Sequence, residues 1–546
     1  MRSTCCLVIL ASALGAQSRI GVRPAVASSK FSEELRARSS PAHRQLGGED
    51  EQLDVIVQWN EDALATGPAS RFRAAKRESR RDFDGTGHSA MRLKRSDLAA
   101  LAEDPQVAFI SPYREVGATH FQPWMLKEAI GYRFAAMTTP ERPVETGRGI
   151  GIAIIDSGIA ADAYLKDGAN GCTATRIVYS QNLVTGETTT NDVYGHGTHV
   201  AGIAAGTGLC LPGAYVDFSG IAPRAKIINL RVLDSRGIGK DSAVIAAIDR
   251  AIALKSTYNI RVINFSFGRT IRESYTLDPL CKALEKAWKA GIVVVVAAGN
   301  NGRDNSMGTS GYSTITSPAN DPFVITVGAT RMVGHTGRED DTVTSYSSKG
   351  PTLLDRIVKP DLIAPGNVVY ARMDPSAYLV QSYQTNAVGV SMGMGPTISS
   401  VFLLSGTSMA SPVVSGSVAL MLQKTSTLKP DEVKARLMKT AFKQMVATAA
   451  VSDRITGQPF QVRHDLLTVG AGMLDLKAAL ANTDRSTRLA LSPRVVKVNG
   501  QVKLTKTYSN IAGGTNVIWG ENVIWGDNVI WGDNVIWGDN AIRGDQ

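Results

Sequence analysis

From residue 150 onward, short apolar runs alternate with segments of helical periodicity. The runs are Ile150 to Ile155, Ala225 to Val232, Ile260 to Phe265, Gly291 to Ala298 and Val324 to Ala329. They are rich in β-branched residues and show no polar face, which suits strands buried on both sides. Between and after them, Leu277 to Ala290 and Pro412 to Gln423 read as helices, the second apolar nearly all round and therefore buried. Strands that alternate with helices predict an α/β class, with a mostly parallel central sheet covered on both faces. Sites in such sheets gather outside the carboxyl ends of the strands. Asp156 directly follows the first run and Asn300 the fourth.

A different pattern precedes this region. Leu53 to Trp59 alternates like a strand, Arg71 to Arg81 reads as a basic helix, and Ala90 to Leu93 as a second strand. Ser96 opens a short helix that stops at Pro105, and Val107 to Ile110 closes the set as a strand. Residues 51–118 therefore form a small α+β module. Before it, residues 17–50 are rich in Ser, Arg and Gly without periodicity and read as a flexible lead-in. Residues 1–16 combine Arg2, an apolar stretch from Cys5 to Leu14, and the small Ala13 and Gly15, a secretory signal pattern too short to span a bilayer.

The main α/β region occupies residues 119–485. Residues 486–515 read as a strand-like linker, with alternation from Leu489 to Tyr508. Residues 516–546 repeat Asn-Val-Ile-Trp-Gly-Asp with small variations, and four of the seven tryptophans lie there. A low-complexity tail, a surface- or carbohydrate-binding Trp ladder and a secretion or assembly element all stay open for it.

Three motifs supply chemistry. Gly406-Thr-Ser-Met-Ala-Ser-Pro412 is a small-residue turn that sets Ser408 at the head of a helical pattern. Ile154 to Ile159 offers Asp156, and Gly195-His-Gly-Thr-His-Val-Ala-Gly202 offers His196. A hydroxyl is a weak nucleophile until an imidazole takes its proton, and the imidazole needs a carboxylate to orient it and stabilise its cation. Taken singly, Ser408 reads as a helix cap, His196 as a satisfied core histidine, and Asp156 and Asn300 as turn formers. Together, and in the order Asp, His, Ser, they resemble the subtilisin-like serine proteases (peptidase S8 family) over roughly residues 145 to 480.

That resemblance implies a subtilisin-like three-layer fold and a catalytic triad of Asp156, His196 and Ser408. It implies that Asn300, closing Val294-Val-Val-Ala-Ala-Gly-Asn300, donates to the oxyanion beside the backbone N–H of the serine. Ser266, Phe267 and Gly268, with Ala297, Ala298 and Gly299, would line the subsites on the acyl side, where an extended substrate adds as a strand. The module of residues 51–118 would be an inhibitory pro-domain, the chain's own intramolecular partner, cut away near residues 115 to 122. The implied activity is that of a secreted serine endopeptidase made as a zymogen and acting on protein or peptide substrates. No cofactor is implied for the chemistry. Structural calcium is frequent in the family, but no ligand set maps by motif. His199 reads as structural, and Asp162 and Asp192 as loop carboxylates.

Composition narrows the alternatives. A hydrophobic content of 43% supports a sizeable core. The net charge of +10 is spread along the chain, and basic runs such as Lys76-Arg77 and Arg80-Arg81 lack interleaved aromatics, which argues against nucleic-acid binding. No later segment reaches about 18 uninterrupted apolar residues, so no membrane span is expected. Of the five cysteines, Cys5 and Cys6 fall in the signal segment. Cys172 and Cys210 flank His196 in loops and could pair, while Cys281 reads as a small buried hydrophobe. No Cys and His spacing suits zinc.

Residues 365–405, including Val388 to Pro396, match no motif and read as an extended surface loop. Neither Asn301 nor residues 304–316 supply an evident acidic or strictly apolar pocket wall. A serine esterase should show Gly-x-Ser-x-Gly and the order Ser, Asp, His, which this chain does not. A secreted surface-binding protein that uses the protease fold only to carry its Trp repeats should have lost a site residue, and none is lost.

Overall fold

A computed structural model of the chain describes residues 30, 35, 52–60, 79–83, 86–113, 115–118, 145–167, 171–207, 210, 219–331, 341–390, 398–443, 445–452, 458–485, 489–498 and 501–504. The signal segment, nearly all of the lead-in, residues 71–78 of the first expected helix and the hexapeptide tail lie outside them.

The first module is a four-stranded antiparallel sheet built from β1 (Gln52–Trp59), β2 (Ser79–Phe83), β3 (His88–Lys94) and β4 (Val107–Pro112), in the order β2-β3-β1-β4. Helix α1 (Leu98–Glu103) packs on it. The two faces of β1 go to different places because strand side chains alternate. Leu53, Val55 and Val57 meet Leu98 and Leu101 of α1 in one core, whereas Ile56 joins Phe83 and Ala90 in the core of the following domain. The sheet is thus held between its own helix and the rest of the protein. Residues 79–81, expected at the end of a helix, belong to β2 instead. Their pairing with β3, Ser79 opposite Met91 and Arg81 opposite Ala90, outweighs local helical preference.

Beyond it, β5 (Glu115–Ala118) leads to the main domain. Its sheet comprises β6 (Gly151–Asp156), β7 (Ile177–Asn182), β8 (Lys226–Arg231), β10 (Ile260–Phe265), β12 (Val293–Ala297), β13 (Ile325–Arg331) and β14 (Thr342–Val343), in the order β14-β13-β12-β10-β6-β8-β7, with β15 (Leu362–Pro365) also paired to β13. All these pairings are parallel except that of β14. Two helix pairs cover the sheet: α2 (His196–Ala205) packs with α5 (Thr407–Lys424), and α3 (Asp241–Ala253) with α4 (Pro279–Lys289). Every residue of β6 and β12 is buried, which is why their sequence shows no polar face. The α/β, mostly parallel, layered architecture read from the pattern is the one present. Outside it, β9 (Ile238–Lys240) and β11 (Phe267–Gly268) form a separate small sheet with β5.

Two expectations are corrected. Helix α5 starts at Thr407 rather than Pro412, so Pro412 lies inside it and Ser408 in its first turn. The described residues between 365 and 405 are not a surface loop, whereas residues 391–396 of the stretch Val388 to Pro396 lie outside the described residues. Those described form β16 (Val369–Arg372), β17 (Ala387–Val390) and β18 (Ile398–Leu404), an antiparallel sheet in the order β16-β18-β17. Their buried Ala371, Met373, Leu379 and Phe402 belong to the main core, which gives the segment a reason to fold.

Cys172 and Cys210 are bonded, with Cα atoms 5.4 Å apart across a sequence separation of 38. Cys281 is free and buried in α4. Closing a loop of that length restricts the unfolded chain by an amount worth about 4 kcal/mol. The double replacement Cys172→Ser, Cys210→Ser is therefore expected to lower the unfolding free energy by about that much and to depress Tm in scanning calorimetry. An unchanged Tm would show that the bond adds nothing.

Candidate active site

The carboxyl end of β6 delivers Asp156 into the interior, 1% exposed. Its Oδ1 accepts hydrogen bonds from the Nδ1–H of His196 at 2.7 Å and from the Ser157 backbone N–H at 2.8 Å. His196 is the first residue of α2 and is 2% exposed. With Nδ1 bound to a carboxylate, Nε2 is the nitrogen that presents a lone pair. Burial opposes the imidazolium, but the charge of Asp156, its hydrogen bond and the charge of Asp192 outweigh that, and the pKa of His196 lies above the ordinary value. The neighbouring His199 behaves differently. Desolvation pushes it down to about 3, and its Nε2 bonds the Phe402 carbonyl at 3.1 Å, a structural role.

Asp192 does more than the sequence indicates. Although it lies in a loop, it is 1% exposed and accepts four hydrogen bonds. Oδ1 takes the Gly195 N–H at 2.7 Å and the Ser157 hydroxyl at 2.8 Å. Oδ2 takes the Thr198 N–H and hydroxyl, both at 2.7 Å. Asp192 thereby caps α2 immediately before His196. Burial raises its own pKa, against the pull of those four bonds. The legible signal was an aspartate three residues ahead of the glycine that opens the helix. Arg231, fully buried at the end of β8, supports the same turn by donating from Nε to the Ser157 carbonyl at 3.0 Å. Asp162, the other loop carboxylate, pairs with Arg372 at 3.0 Å.

Ser408 is joined to β10 by reciprocal bonds. Its hydroxyl donates to the Ser266 carbonyl at 2.8 Å, and the Ser266 hydroxyl donates to the Ser408 carbonyl at 3.0 Å. Pro412, four residues on, has no N–H to give that carbonyl, so Ser266 supplies the hydrogen. Asn264 Nδ2 in turn donates to Ser266 Oγ at 2.8 Å and is fixed by Ser415, whose hydroxyl donates to Asn264 Oδ1 at 2.8 Å. Asn300 lies on the other side of the serine turn. Its Oδ1 accepts from the Thr407 N–H at 2.9 Å and from the Thr407 hydroxyl at 3.1 Å. This assigns the amide so that Nδ2 faces the turn, where a Cβ on Gly406 would come within 3.1 Å of it.

The remaining expected residues separate into backbone and core. Phe267, Ala297 and Ala298 are fully buried, so their side chains fill the interior; the main chain of Phe267 pairs with β5, and that of Ala298 bonds Val327 and Thr316. Gly268 sits where a Cβ would meet Thr316 Oγ1 at 2.7 Å and the Ser317 carbonyl at 2.8 Å. Against this edge lies β5. It runs antiparallel to both neighbours, with Ala118 opposite Phe267, Gly117 opposite Gly268 and Ile238, and Glu115 opposite Lys240. The chain's own segment is therefore the middle strand between β11 and β9, and it ends beside the residue that bonds Ser408. Among the described residues no group of three or more His, Cys, Asp or Glu is arranged to hold a metal ion.

Comparison with known proteins agrees with this geometry. The subtilase (peptidase S8) family model matches residues 147–472. Serine protease AprX of Bacillus subtilis is 37% identical over 396 residues, covering 71% of this chain and 82% of its own. Subtilisin DY of Bacillus licheniformis is 34% identical over 299 residues, 54% of this chain and 84% of its own, and an extracellular serine proteinase of Thermus is 32% identical over 363 residues, 66% and 72%. The crystal structure of fervidolysin from Fervidobacterium pennivorans, a keratinolytic enzyme related to subtilisin, shares the fold with a TM-score of 0.55 at 22% identity, covering 80% of this chain and 62% of that one. The chain belongs to the subtilase family and is a subtilisin-like serine endopeptidase.

Proposed function

We propose that this endopeptidase is secreted as a zymogen and cuts peptide bonds through Ser408, His196 and Asp156, with Asn300 and the Ser408 backbone N–H as the oxyanion donors. The observation that carries the reading is β5: a segment of the same chain paired as an antiparallel strand in the groove that ends at Ser408. A substrate bound the same way would add a strand between β9 and β11, with main-chain bonds giving affinity for any sequence. The module of residues 51–118 then acts as the inhibitor, occupying the groove until it is cut away. Secretion follows from the pattern at residues 1–16, and among the described residues no helix is long and apolar enough to cross a membrane. With every expected site residue present, the carrier reading has no observation in its favour.

In the reaction, His196 Nε2 takes the proton of the Ser408 hydroxyl as Oγ bonds to the peptide carbonyl carbon. The carbonyl electrons move onto the oxygen, which the Asn300 amide and the Ser408 N–H stabilise. Asp156, bonded at Nδ1, holds the ring and offsets the charge of the imidazolium. The imidazolium passes its proton to the amine as the C–N bond breaks, leaving an ester on Ser408. Water then gives a proton to His196 and its oxygen to the acyl carbon, and as the ester C–O bond breaks His196 returns that proton to Ser408 Oγ, restoring the serine hydroxyl and the neutral imidazole.

Expression of residues 17–546 beside Ser408→Ala tests the proposal. The wild type should cleave casein, label with a fluorophosphonate and process itself, and the variant should do none of these. Ala118 lies opposite Phe267, so the antiparallel register brings the next position, 119, opposite Ser266, whose carbonyl accepts the Ser408 hydroxyl; the Thr119–His120 bond is therefore the expected cut, and N-terminal sequencing of the mature form should begin at His120. A folded wild type that neither labels nor processes would overturn the reading. Asn300→Ala should lower kcat by about 10²- to 10³-fold with a smaller change in KM, a magnitude established on subtilisin. The base works only when neutral, and Asp156 and Asp192 hold its pKa above 6.5, so kcat/KM should rise with pH through an acid limb whose midpoint lies above that value. A midpoint below 6.5 would contradict the electrostatics.

A further inference from the structure

Residues 373–379 fold directly onto the approach to His196. Gly195 has φ +105°, and a Cβ there would lie 2.3 Å from Met373 Cε and 2.9 Å from Ala377 Cβ, both in the segment between β16 and β17. Two backbone bonds fasten that segment to the same loop: the Tyr378 N–H donates to the Val193 carbonyl at 2.9 Å, and the Leu379 N–H to the Tyr194 carbonyl at 3.1 Å. The result is an aromatic pair. The Tyr378 ring stacks on Tyr194 with centroids 5.9 Å apart and planes 17° from parallel, and Tyr194 in turn lies 6.5 Å from the His196 ring.

The pair stands at a defined place along the substrate path. A Cβ on Gly237 would meet Tyr194 Cε1 and Cζ at 2.6 Å, so the Tyr194 ring rests against the residue just before β9. Since β9 runs antiparallel to β5 with Ile238 opposite Gly117, the step to Gly237 corresponds to position 118, the second residue before the expected cut. Tyr378 is 50% exposed and Val193 40%, both among the most exposed large hydrophobic side chains of the described residues. Large apolar groups left open beside a binding groove are suited to contact what enters it.

We propose that residues 373–379 are a specificity element. They prop Tyr378 against Tyr194 as an aromatic wall beside His196, and the wall selects polypeptide substrates with an apolar side chain two residues before the cut. This rests on the functional reading above, in which the groove between β9 and β11 takes the substrate. Tyr194 makes the contact, and Tyr378 sets its position and extends the apolar surface. A polar or absent side chain at that substrate position leaves the wall in water, whereas an apolar one buries it.

The test compares quenched fluorescent peptides that differ only at that position, Leu against Gly, for the mature wild type, Tyr378→Ala and Tyr378→Phe. Burial of an apolar group of this size in a pocket gives selectivity of about 10-fold or more. The wild type should favour Leu over Gly by about that factor in kcat/KM. Tyr378→Phe should keep the preference, and Tyr378→Ala should lose most of it. Fluorophosphonate labelling of each protein reports an intact nucleophile independently of peptide choice. If Tyr378→Ala does not label, Tyr378→Leu, which keeps volume without a flat ring, replaces it in the comparison. An equal fall for both peptides, or an unchanged Leu to Gly ratio in labelled protein, overturns the proposal. A wild type that labels with nothing and cuts no peptide overturns the functional reading instead.

Discussion

The paired bonds between Ser408 and Ser266 are the constraint on which the site depends. A proline inside a helix ordinarily leaves the carbonyl four residues earlier without a partner. Here that carbonyl belongs to Ser408, the proposed nucleophile, and the Ser266 hydroxyl fills the role of the missing N–H. The consequence is more than a satisfied acceptor. Ser266 is the hinge between β10, in the centre of the parallel sheet, and β11, which pairs with β5. The position of Ser408 and the position of the edge that pairs with β5 are therefore set by one residue. Each bond adds only about 1 kcal/mol to stability, but in a buried network the geometry is what matters. Asn264 and Ser415 extend the network so that the serine hydroxyls have few alternative arrangements.

Electrostatics places a second requirement on the same region. His196 opens α2, and the positive end of a helix disfavours an imidazolium there. Asp192 answers that field by accepting the Gly195 and Thr198 N–H groups, the very donors that create it. Asp156 can then act on Nδ1 without having to oppose the helix as well. Ser157 links the two carboxylates, donating to Asp192 Oδ1 at 2.8 Å, with its hydroxyl 3.3 Å from Asp156 Oδ1. Two buried acids, one cap and one arginine beneath the turn thus share a task that three motif residues alone would not accomplish.

How much of this could be read in advance depended on whether a feature was local. The strands of the main sheet were legible because burial on both faces removes every polar residue from them, as in Val293 to Ala297. Ser408, His196, Asp156 and Asn300 were legible because each sits in a long motif with an uncommon combination of residues. What failed was non-local. Residues 79–81 look helical alone and become a strand only through Met91 and Ala90 across the sheet. Pro412 looks like a helix start because the compensating hydroxyl comes from a residue far upstream. Asp192 is one aspartate among many until its four donors are assembled around it. The stretch from Met373 to Leu379 lacks any motif because its information is non-local: it lies in Met373, Ala377 and Leu379 meeting the loop before His196.

The groove itself follows from what is left small. Gly268 faces Thr316 and Ser317 at distances no side chain could share, and Gly237 gives its space to the Tyr194 ring. An added strand can approach such an edge through its backbone alone, which explains why a segment as plain as Glu115-Val-Gly-Ala118 fits between β9 and β11. Main-chain pairing of that kind cannot discriminate between sequences. Discrimination must come from groups that stand above the edge, and the parallel sheet has none to offer because its residues are committed to the core. A segment inserted between β15 and α5 is well placed to supply them, since its Tyr378 and Leu379 bond the loop that leads into His196.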